Sequence, residues 1–322
     1  MQSPRFFAGV ILTGAVVLGA DVGFGQNYPN KPIRIITSEA GGGSDFLARL
    51  VAQGLTTRLG QQVIVENRGG SGVIAIEIVG RTPPDGYSLL LSGSTLWLMQ
   101  FMRDKVSWDP MRDFSPIVIV NMTPLVLVAH PSLTAKSVNE VIALAKAKPG
   151  ALNFSSGPSG GPSHLSAELF IAMAGAKIVR ITYRGTAPAV NGLLAGEVQM
   201  MFGNAGAVMP HINAGKLRAL AVTSAQPSPL FPGVTTVAAS GIRGYEVVSR
   251  TGVFAPSKTP ETIIKKLNDE INRVLDRPET KEVFLNAGTQ AVGGSPEQAA
   301  STIKSEMATV GKMIKDIGLR AE

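Results

Sequence analysis

The sequence predicts an α/β protein whose two lobes face each other across a cleft. The first observation is an order of strand, glycine-rich turn and helix that repeats after Tyr28, which is typical of a parallel sheet covered by helices. The second is a change of character after Ser92, followed by a further set of such units. The third is the length of 322 residues, which suits two domains or one large one.

The first lobe begins with three predicted strands and two helices. Apolar spacing defines the helices, and glycine-rich turns separate them from the strands. In order, the elements are strand 33–37, a helix capped by Ser44 or Asp45 that ends at Gly60, strand 63–66, a helix that follows turn 67–72 and reaches Arg81, and strand 87–92.

The middle of the chain is predicted to cross into a second lobe. Residues 97–113 mix aromatic residues, charges and Pro110 and are predicted to be irregular. Two short strands follow, separated at 121–124, where Pro124 suits a crossing between domains. The further predicted elements are helix 138–147, strand 153–155, helix 165–174, strand 177–182, helix 187–194, strand 198–202, helix 207–214, strand 217–223 and strand 247–255.

The C-terminal region is predicted to be helical and to cover the first lobe. Thr259 and Pro260 read as an N-cap and first helical residue. Ser295 and Gln298 form a capping box that opens the last helix. The first lobe is therefore discontinuous: we expect a signal peptide at 1–25, lobe 1 at 26–123 and 251–322, and lobe 2 at 124–250.

The N-terminus has the layout of a secretory signal peptide. Arg5 precedes an apolar run at 6–18, and small residues allow cleavage after about Ala20 or Gly25. An uncleaved anchor is the alternative, although the run is short for a membrane span. We therefore expect a periplasmic protein.

Composition excludes several classes of function. Without cysteine the chain has no disulfides, thiol catalysis or cysteine metal sites. The net charge of +7 is spread out and does not interleave with aromatic residues, so a nucleic-acid surface is not expected. Three dispersed histidines predict no metal site. We expect no cofactor.

Four turns share a chemistry that suits anions. Each follows a predicted strand and is rich in glycine, serine or threonine; they are 41–45, 93–95, 156–164 and 183–186. Amides at a helix N-terminus, with the helix dipole behind them, hold carboxylates without a cationic side chain. In open α/β sheets such turns gather where ligands bind.

Two other motif matches are weaker. Residues 157–161 satisfy G-x-S-x-G, which leaves an exported serine hydrolase using Ser159 and His164 as an alternative. However, no acid and histidine follow in convincing late loops. Residues 70–75 match G-x-G-x-x-A but lack the acidic residue that ribose binding needs. Without a nucleophile and base pair, we do not expect an enzyme.

The chain resembles the Bug-type (Bordetella uptake gene) periplasmic solute receptors, which are the substrate-binding components of tripartite tricarboxylate transporters. The likeness covers the chain from Tyr28 to about Leu319. Its markers, in order, are Tyr28-Pro29, Gly41-Gly42 with Asp45, Leu59-Gly60-Gln61, Glu66-Asn67-Arg68, Pro84-Asp85-Gly86-Tyr87, Ser156-Gly157, Ser163-His164-Leu165, Tyr183-Arg184-Gly185, residues 214–222, and Ala255-Pro256.

The resemblance implies a periplasmic-binding-protein-like fold, a type II Venus flytrap that closes on one small carboxylate. A di- or tricarboxylate, an aromatic acid or an amino acid would be delivered to a membrane permease by a monomeric receptor. A sensor that feeds a membrane signalling protein is the alternative. By matched position, the implied ligand contacts are Ser38, Ala40, Gly42, Gly43, Asp45, Ser94, Thr95, Ser156, Gly157, Ser159, Ser163, His164, Tyr183, Gly185, Thr186 and Asn204.

Several residues leave a choice open. Glu39 stands where the family usually has a neutral residue, so it either faces solvent or reads a positive group of the ligand. Arg250 replaces a common tryptophan and is either a solvated strand residue or a partner of Glu39 or the ligand. His164 either lines the cleft or bonds to its own helix cap, and Asp45 could act as a cap.

Overall fold

The computed structural model describes residues 28–38, 40–69, 72–157, 161–316 and 318–320. The predicted signal peptide, Glu39 and Ser159 lie outside these residues. In the described part of the chain, no helix combines the length and the apolar character that crossing a membrane requires.

The first region alternates strands and helices as predicted. Strand 33–37 is confirmed at both ends, and the first helix ends at Gly60, whose φ of 66° gives the left-handed cap that glycine favours. The elements are β1 (Ile33–Thr37), α1 (Gly43–Leu59), β2 (Val63–Asn67), α2 (Val73–Val79), β3 (Ser88–Gly93) and α3 (Thr95–Met102).

Helix α3 corrects the prediction that residues 97–113 are irregular. Residues 96–99 are all buried, so the segment lacks the one-sided apolar stripe that marks a helix in a sequence. Trp97 is fully buried with its ring 6.1 Å from that of Phe254. The indole Nε1 of Trp108 donates to the Leu96 carbonyl at 2.7 Å. Packing onto distant residues therefore fixes this helix.

Strand β4 (Phe114–Ala129) is continuous, so the prediction of two strands separated at 121–124 is wrong. Its first part pairs with a later strand as far as Pro124, and Leu125 begins pairing with two others. Pro124 lies where the partner changes, and the missing amide therefore interrupts little of the ladder. The Leu125 amide instead donates to Thr223 Oγ1 at 2.8 Å.

The next region repeats the strand–turn–helix unit, and its predicted elements are confirmed within a few residues. They are α4 (Val138–Ala147), β5 (Asn153–Ser156), α5 (Pro162–Ala174), β6 (Val179–Thr182), α6 (Thr186–Leu194), β7 (Met200–Asn204), α7 (Ala205–Asn213), β8 (Arg218–Val222) and β9 (Val248–Pro256).

The C-terminal region is helical apart from one strand that the sequence did not predict, β10. The capping box of Ser295 and Gln298 is confirmed. Pro260, not Thr259, occupies the N-cap position, and the Thr259 hydroxyl donates to the Pro256 carbonyl at 2.7 Å. The elements are α8 (Glu261–Leu275), α9 (Pro278–Asn286), β10 (Gln290–Gly293), α10 (Pro296–Glu306), a π-helical turn (Met307–Gly311) and α11 (Lys312–Asp316).

The strands form one curled sheet with two halves. The first half has the order β2-β1-β3-β9-β4, with β10 also on β4; the second has β6-β5-β7-β4, with β8 also on β4. The expected parallel pairing holds for β1–β3 and for β5–β7, whereas β4, β8, β9 and β10 pair antiparallel. The chain changes half within β4 and again before β9. The lobe boundaries themselves stay a prediction.

Helix α8 packs one apolar face onto the first half, as its spacing predicts. Ile263, Leu267 and Ile271 are buried in one cluster with Val51 and Leu55 of α1. Burying this stripe holds α8 on the first half of the sheet.

Candidate ligand-binding cleft

The carboxyl ends of parallel strands from both halves meet near the point where β4 passes from one half to the other. Asn204, the last residue of β7, pairs with Leu125 at the start of the second part of β4. Gly93, the last residue of β3, pairs with Thr251 of β9. The turns that follow these strands therefore gather at one place, which is where open α/β sheets bind ligands.

A cavity of about 280 Å³ lies at this place. Thr123 and Ser249 are paired neighbours on β4 and β9 and form its edge at the junction of the halves. The other residues that line it belong to the second half: Leu125, Gly157, Gly161, Pro162, Ser163, His164, Thr186, Met201, Phe202 and Asn204.

Only some of the predicted ligand-binding residues line the cavity. The predicted residues that line it are Gly157, Ser163, His164, Thr186 and Asn204. Those that lie outside its lining are Ser38, Ala40, Gly42, Gly43, Asp45, Ser94, Thr95, Ser156, Tyr183 and Gly185. The described turns of the first half thus do not line this cavity, and their contact with a ligand stays a prediction. Ser159 is outside the described residues.

Two helix N-termini open at the cavity. Helix α5 follows Gly161 and α6 follows Gly185, and among the described residues no side chain caps either one. A Cβ on Gly157 would lie 3.9 Å from the Thr186 amide nitrogen, so the Gly157 turn nearly touches the start of α6. Ser163 Oγ is buried without a hydrogen-bond partner in the described part of the chain. These donors and the helix dipoles suit a carboxylate.

Arg180 supports this turn, and the sequence analysis missed it. Its Nε donates to Ser156 Oγ at 2.7 Å and its Nη2 to the Gly157 carbonyl at 3.0 Å. Partial burial lowers the pKa of Arg180, against the opposing charge of Glu168. Arg180 therefore holds the Ser156-Gly157 segment in place and orients the Gly157 carbonyl towards β6. The available signal was a basic residue within the strand that neighbours the Ser-Gly turn.

Tyr183 and Asn204 use their side chains for other contacts. The Tyr183 hydroxyl donates to Glu197 Oε2 at 2.8 Å, and burial together with Glu197 raises the pKa of Tyr183. A Cβ on Gly192 would lie 2.2 Å from this hydroxyl, so the ring packs directly on α6. Asn204 Oδ1 accepts from the Ala207 amide at 2.9 Å and caps α7.

His164 lines the cavity, as one of its two interpretations predicts, and its contact with a ligand stays a prediction. The residue is 4% exposed, and its Nε2 lies 3.5 Å from Glu168 Oε1 one helical turn later. The histidine is therefore held in place at the cavity wall.

The Asp45 carboxylate braces the first-half turn from within. The Asp45 carboxylate accepts from the Gly41 amide at 2.9 Å, from Arg49 Nε at 3.1 Å and from Asn67 Nδ2 at 3.0 Å. The bond from Arg49, followed by that from Gly41, lowers the pKa of Asp45 to about 2. Gly42 is the N-cap, so the predicted capping by Ser44 or Asp45 is wrong. Asp45 instead reaches back one turn to Gly41.

The interpretation of Arg250 as a solvated strand residue is wrong, and the alternative partner Glu39 lies outside the described residues. Its side chain is 11% exposed, and its guanidinium pairs with Glu246 at 2.6 Å and Glu306 at 3.3 Å. Burial raises the pKa of Glu306, while the charge of Arg250 opposes this shift. Ser249 lines the cavity, and successive strand residues point to opposite faces. Arg250 thus ties β9 to the end of α10, away from the cavity.

Metal binding finds no support in the described residues, among which no three His, Cys, Asp or Glu side chains are grouped to hold an ion.

A curled α/β sheet in two halves with a cavity at their junction defines the class of two-part solute-binding proteins. The sequence profile described as "Tripartite tricarboxylate transporter family receptor" matches residues 47–319. The chain therefore belongs to the tripartite tricarboxylate transporter receptor family.

Relatives across this family agree in length and fold. BugT of Bordetella pertussis is 36% identical over 92% of this chain and 92% of that protein. A UPF0065 protein from the tcbD-tcbE intergenic region of Pseudomonas sp. (strain P51) is 35% identical over 91% of this chain and 88% of its own length. The structure of R. palustris Rpa4515 with adipate is 31% identical, covers 89% of this chain and 98% of that one, and has a TM-score of 0.69.

The expected family, the two-part α/β fold and the function of a solute receptor for a tripartite transporter are confirmed by these matches. Members of this family are periplasmic receptors, and the family is not one of enzymes.

Proposed function

We propose that this receptor binds a small carboxylate in the cavity and delivers it to a membrane permease. The observation that carries the proposal is the pair of uncapped helix N-termini, of α5 and α6, that open with the Gly157 turn into one cavity. Backbone amides and helix dipoles there can hold a carboxylate without a cationic side chain. The relatives that hold adipate and malate support an organic acid as ligand.

Closure of the first half over the cavity would complete the site. A Polaromonas family member without ligand has a TM-score of 0.83 to this chain, whereas Rhodopseudomonas palustris MatC with malate has 0.67, although both are 26% identical. A ligand that contacts both halves shifts such a protein towards the closed state.

In the closed state, residues of both proposed lobes would contact the ligand. The lobes are residues 26–123 with 251–322, and 124–250, so that β4 and β9 form the hinge. The proposed contacts from the first are Ser38, Ala40, Gly42, Gly43, Asp45, Ser94 and Thr95. Those from the second are Ser156, Gly157, Ser159, Ser163, His164, Tyr183, Gly185, Thr186 and Asn204.

The proposal also covers the oligomeric state of the receptor, its location and its lack of enzymatic activity. The chain acts as a monomer in the periplasm after cleavage near Ala20 or Gly25, and it performs no chemistry of its own. N-terminal sequencing of the exported protein identifies the cleavage site. Ester turnover that disappears in Ser159→Ala would contradict the absence of chemistry.

Thermal unfolding with a panel of acids tests the binding function. The panel contains monocarboxylates, adipate, malate, citrate, aromatic acids and amino acids, each against its uncharged analogue. A ligand at 100 times its Kd stabilises the folded state by about 2.7 kcal/mol, which raises Tm measurably. Failure of every acid to raise Tm, with no binding by calorimetry, would refute the proposed function.

A further inference from the structure

The uncapped helix N-termini of the described lining lie together at one end of the cavity. They are the starts of α5 and α6, around Ser163, Thr186 and the Gly157 turn, whereas Asn204 elsewhere in the lining caps α7. The turn and the start of α6 are in near contact, since a Cβ on Gly157 would be 3.8 Å from the Gly185 carbonyl carbon. The starts of α5 and α6 can therefore act together on one carboxylate.

The floor of the cavity is apolar. Leu125 on β4 and Met201 and Phe202 on β7 line it, and all three belong to the buried core. At about 280 Å³ the cavity lies just below the range of about 300–1,000 Å³ that is usual for drug-sized ligands. A compact hydrocarbon body would cover these side chains and remove their surface from water.

A second carboxylate finds neither another uncapped helix N-terminus nor a cation in the described lining of the cavity, because Asn204 caps α7. None of the described residues that line it is lysine or arginine. Arg180, the arginine that supports the Gly157 turn, is engaged with Ser156 Oγ and the Gly157 carbonyl. On the first half, the turn that follows β1 carries the ionised Asp45, whose charge Arg49 balances. Burying an ionised group without a partner is strongly unfavourable.

From these three features we infer that the cavity takes acids with a single carboxylate and a compact apolar body in preference to dicarboxylates and tricarboxylates. The inference rests on the proposed function and adds the class of acid. It also separates this receptor from the relatives that hold adipate and malate, which are both dicarboxylates.

Hexanoate and adipate form a matched pair of probes, because they share a six-carbon chain and differ by one carboxylate. Benzoate and citrate extend the comparison, and hexanol is the uncharged control. Isothermal titration calorimetry on the full mature chain is expected to give hexanoate or benzoate a Kd at least about tenfold below those of adipate and citrate, the effect of one unpaired charge. Hexanol is expected not to bind.

A variant that adds a cation to the cavity tests whether a second carboxylate is then accepted. Ser249→Arg places a cation at the edge of the cavity, on the strand next to Thr123. It is expected to shift the ratio of hexanoate to adipate affinity about tenfold towards adipate. Ser132→Arg adds the same charge at an exposed site beyond the far end of β4 and is expected to keep the parent ratio.

Each result has one meaning. Tighter binding of adipate or citrate than of hexanoate and benzoate by the parent protein would overturn the class of acid and leave the proposed function intact. Binding of hexanol as tight as that of hexanoate would overturn the assignment of the carboxylate to the helix N-termini. Binding of none of these acids, or of the wider panel, would instead refute the proposed function. An equal shift in both arginine variants would assign the effect to net charge and overturn the cavity argument.

Discussion

The two glycine turns that follow β1 and β5 have the same plan in sequence but differ in what they offer a ligand. In the first, the Asp45 carboxylate takes up the Gly41 amide and pairs with Arg49. In the second, Arg180 holds the turn from behind, and the starts of α5 and α6 remain open to the cavity. A strand–glycine–helix pattern therefore predicts a turn, while its neighbours decide whether the turn is ready to bind.

The largest expected effect is the loss of ligand affinity when one methyl group is added to the second turn and not to the first. In Gly157→Ala the new Cβ meets no atom of the described residues closer than 3.8 Å, so we expect the fold to be kept, but the methyl lies beside the Thr186 amide. Loss of a hydrogen bond to a charged ligand costs about 1.5–3 kcal/mol, which weakens binding roughly tenfold to 100-fold. Calorimetry with the tightest acid of the panel measures this change.

Gly43→Ala is the matched control in the first turn. Its Cβ would meet no heavy atom within 4 Å among the described residues, and Gly43 is the first residue of α1. We expect a change in affinity below about threefold, because alanine keeps the Gly43 backbone amide through which the proposed contact would be made, and the added methyl crowds none of the described donors. If both alanine variants weaken binding equally, the first turn contributes as much as the second and the contrast between them fails.

A smaller effect on stability is expected from Asp45→Asn. Removing the charge weakens the bonds from Arg49 and Gly41, at a cost of about 1–2 kcal/mol to the free energy of unfolding. Asp45 has its pKa lowered from 3.8 to about 2, so its stabilisation is complete above 3.8 and is lost as the pH falls towards 2. The difference in Tm between the parent protein and Asp45→Asn should therefore narrow as the pH falls from 3.8 to about 2.

A difference in Tm between parent and Asp45→Asn that stays constant across these pH values would contradict the argument that the ionised carboxylate stabilises the turn. Asn67→Ala serves as the comparison, because it removes one neutral donor to Asp45 and leaves both charges in place. The difference in Tm between Asn67→Ala and the parent should depend less on pH.

The smallest effect is expected from Arg49→Gln. The Arg49 side chain is 61% exposed, and exposed ion pairs stabilise proteins by about 0–1 kcal/mol, less in high salt. The bond between Gly41 and Asp45 remains, so the turn should keep its shape. Chemical denaturation at low and high salt measures the difference. A loss above about 2 kcal/mol would show that the ion pair, not the backbone bond, holds the first turn.

Prediction from the sequence succeeded where a few neighbouring residues determine the structure. The left-handed cap at Gly60 and the capping box of Ser295 depend on bonds within one helical turn. It failed at α3, whose buried Trp97 packs on the distant Phe254, and at β4, whose two parts have different partners. The unpredicted strand β10 likewise forms only against β4.

The sequence by itself determined the alternation of strands and helices, the glycine turns and the family, because these depend on local spacing and on residues in a fixed order. Only the tertiary structure decided which turns open into the cavity. It also placed Arg180 behind the Gly157 turn and buried Arg250 between Glu246 and Glu306. Such contacts join residues from different elements, and a charged side chain in a strand carries no local sign of the partner that the fold will bring to it.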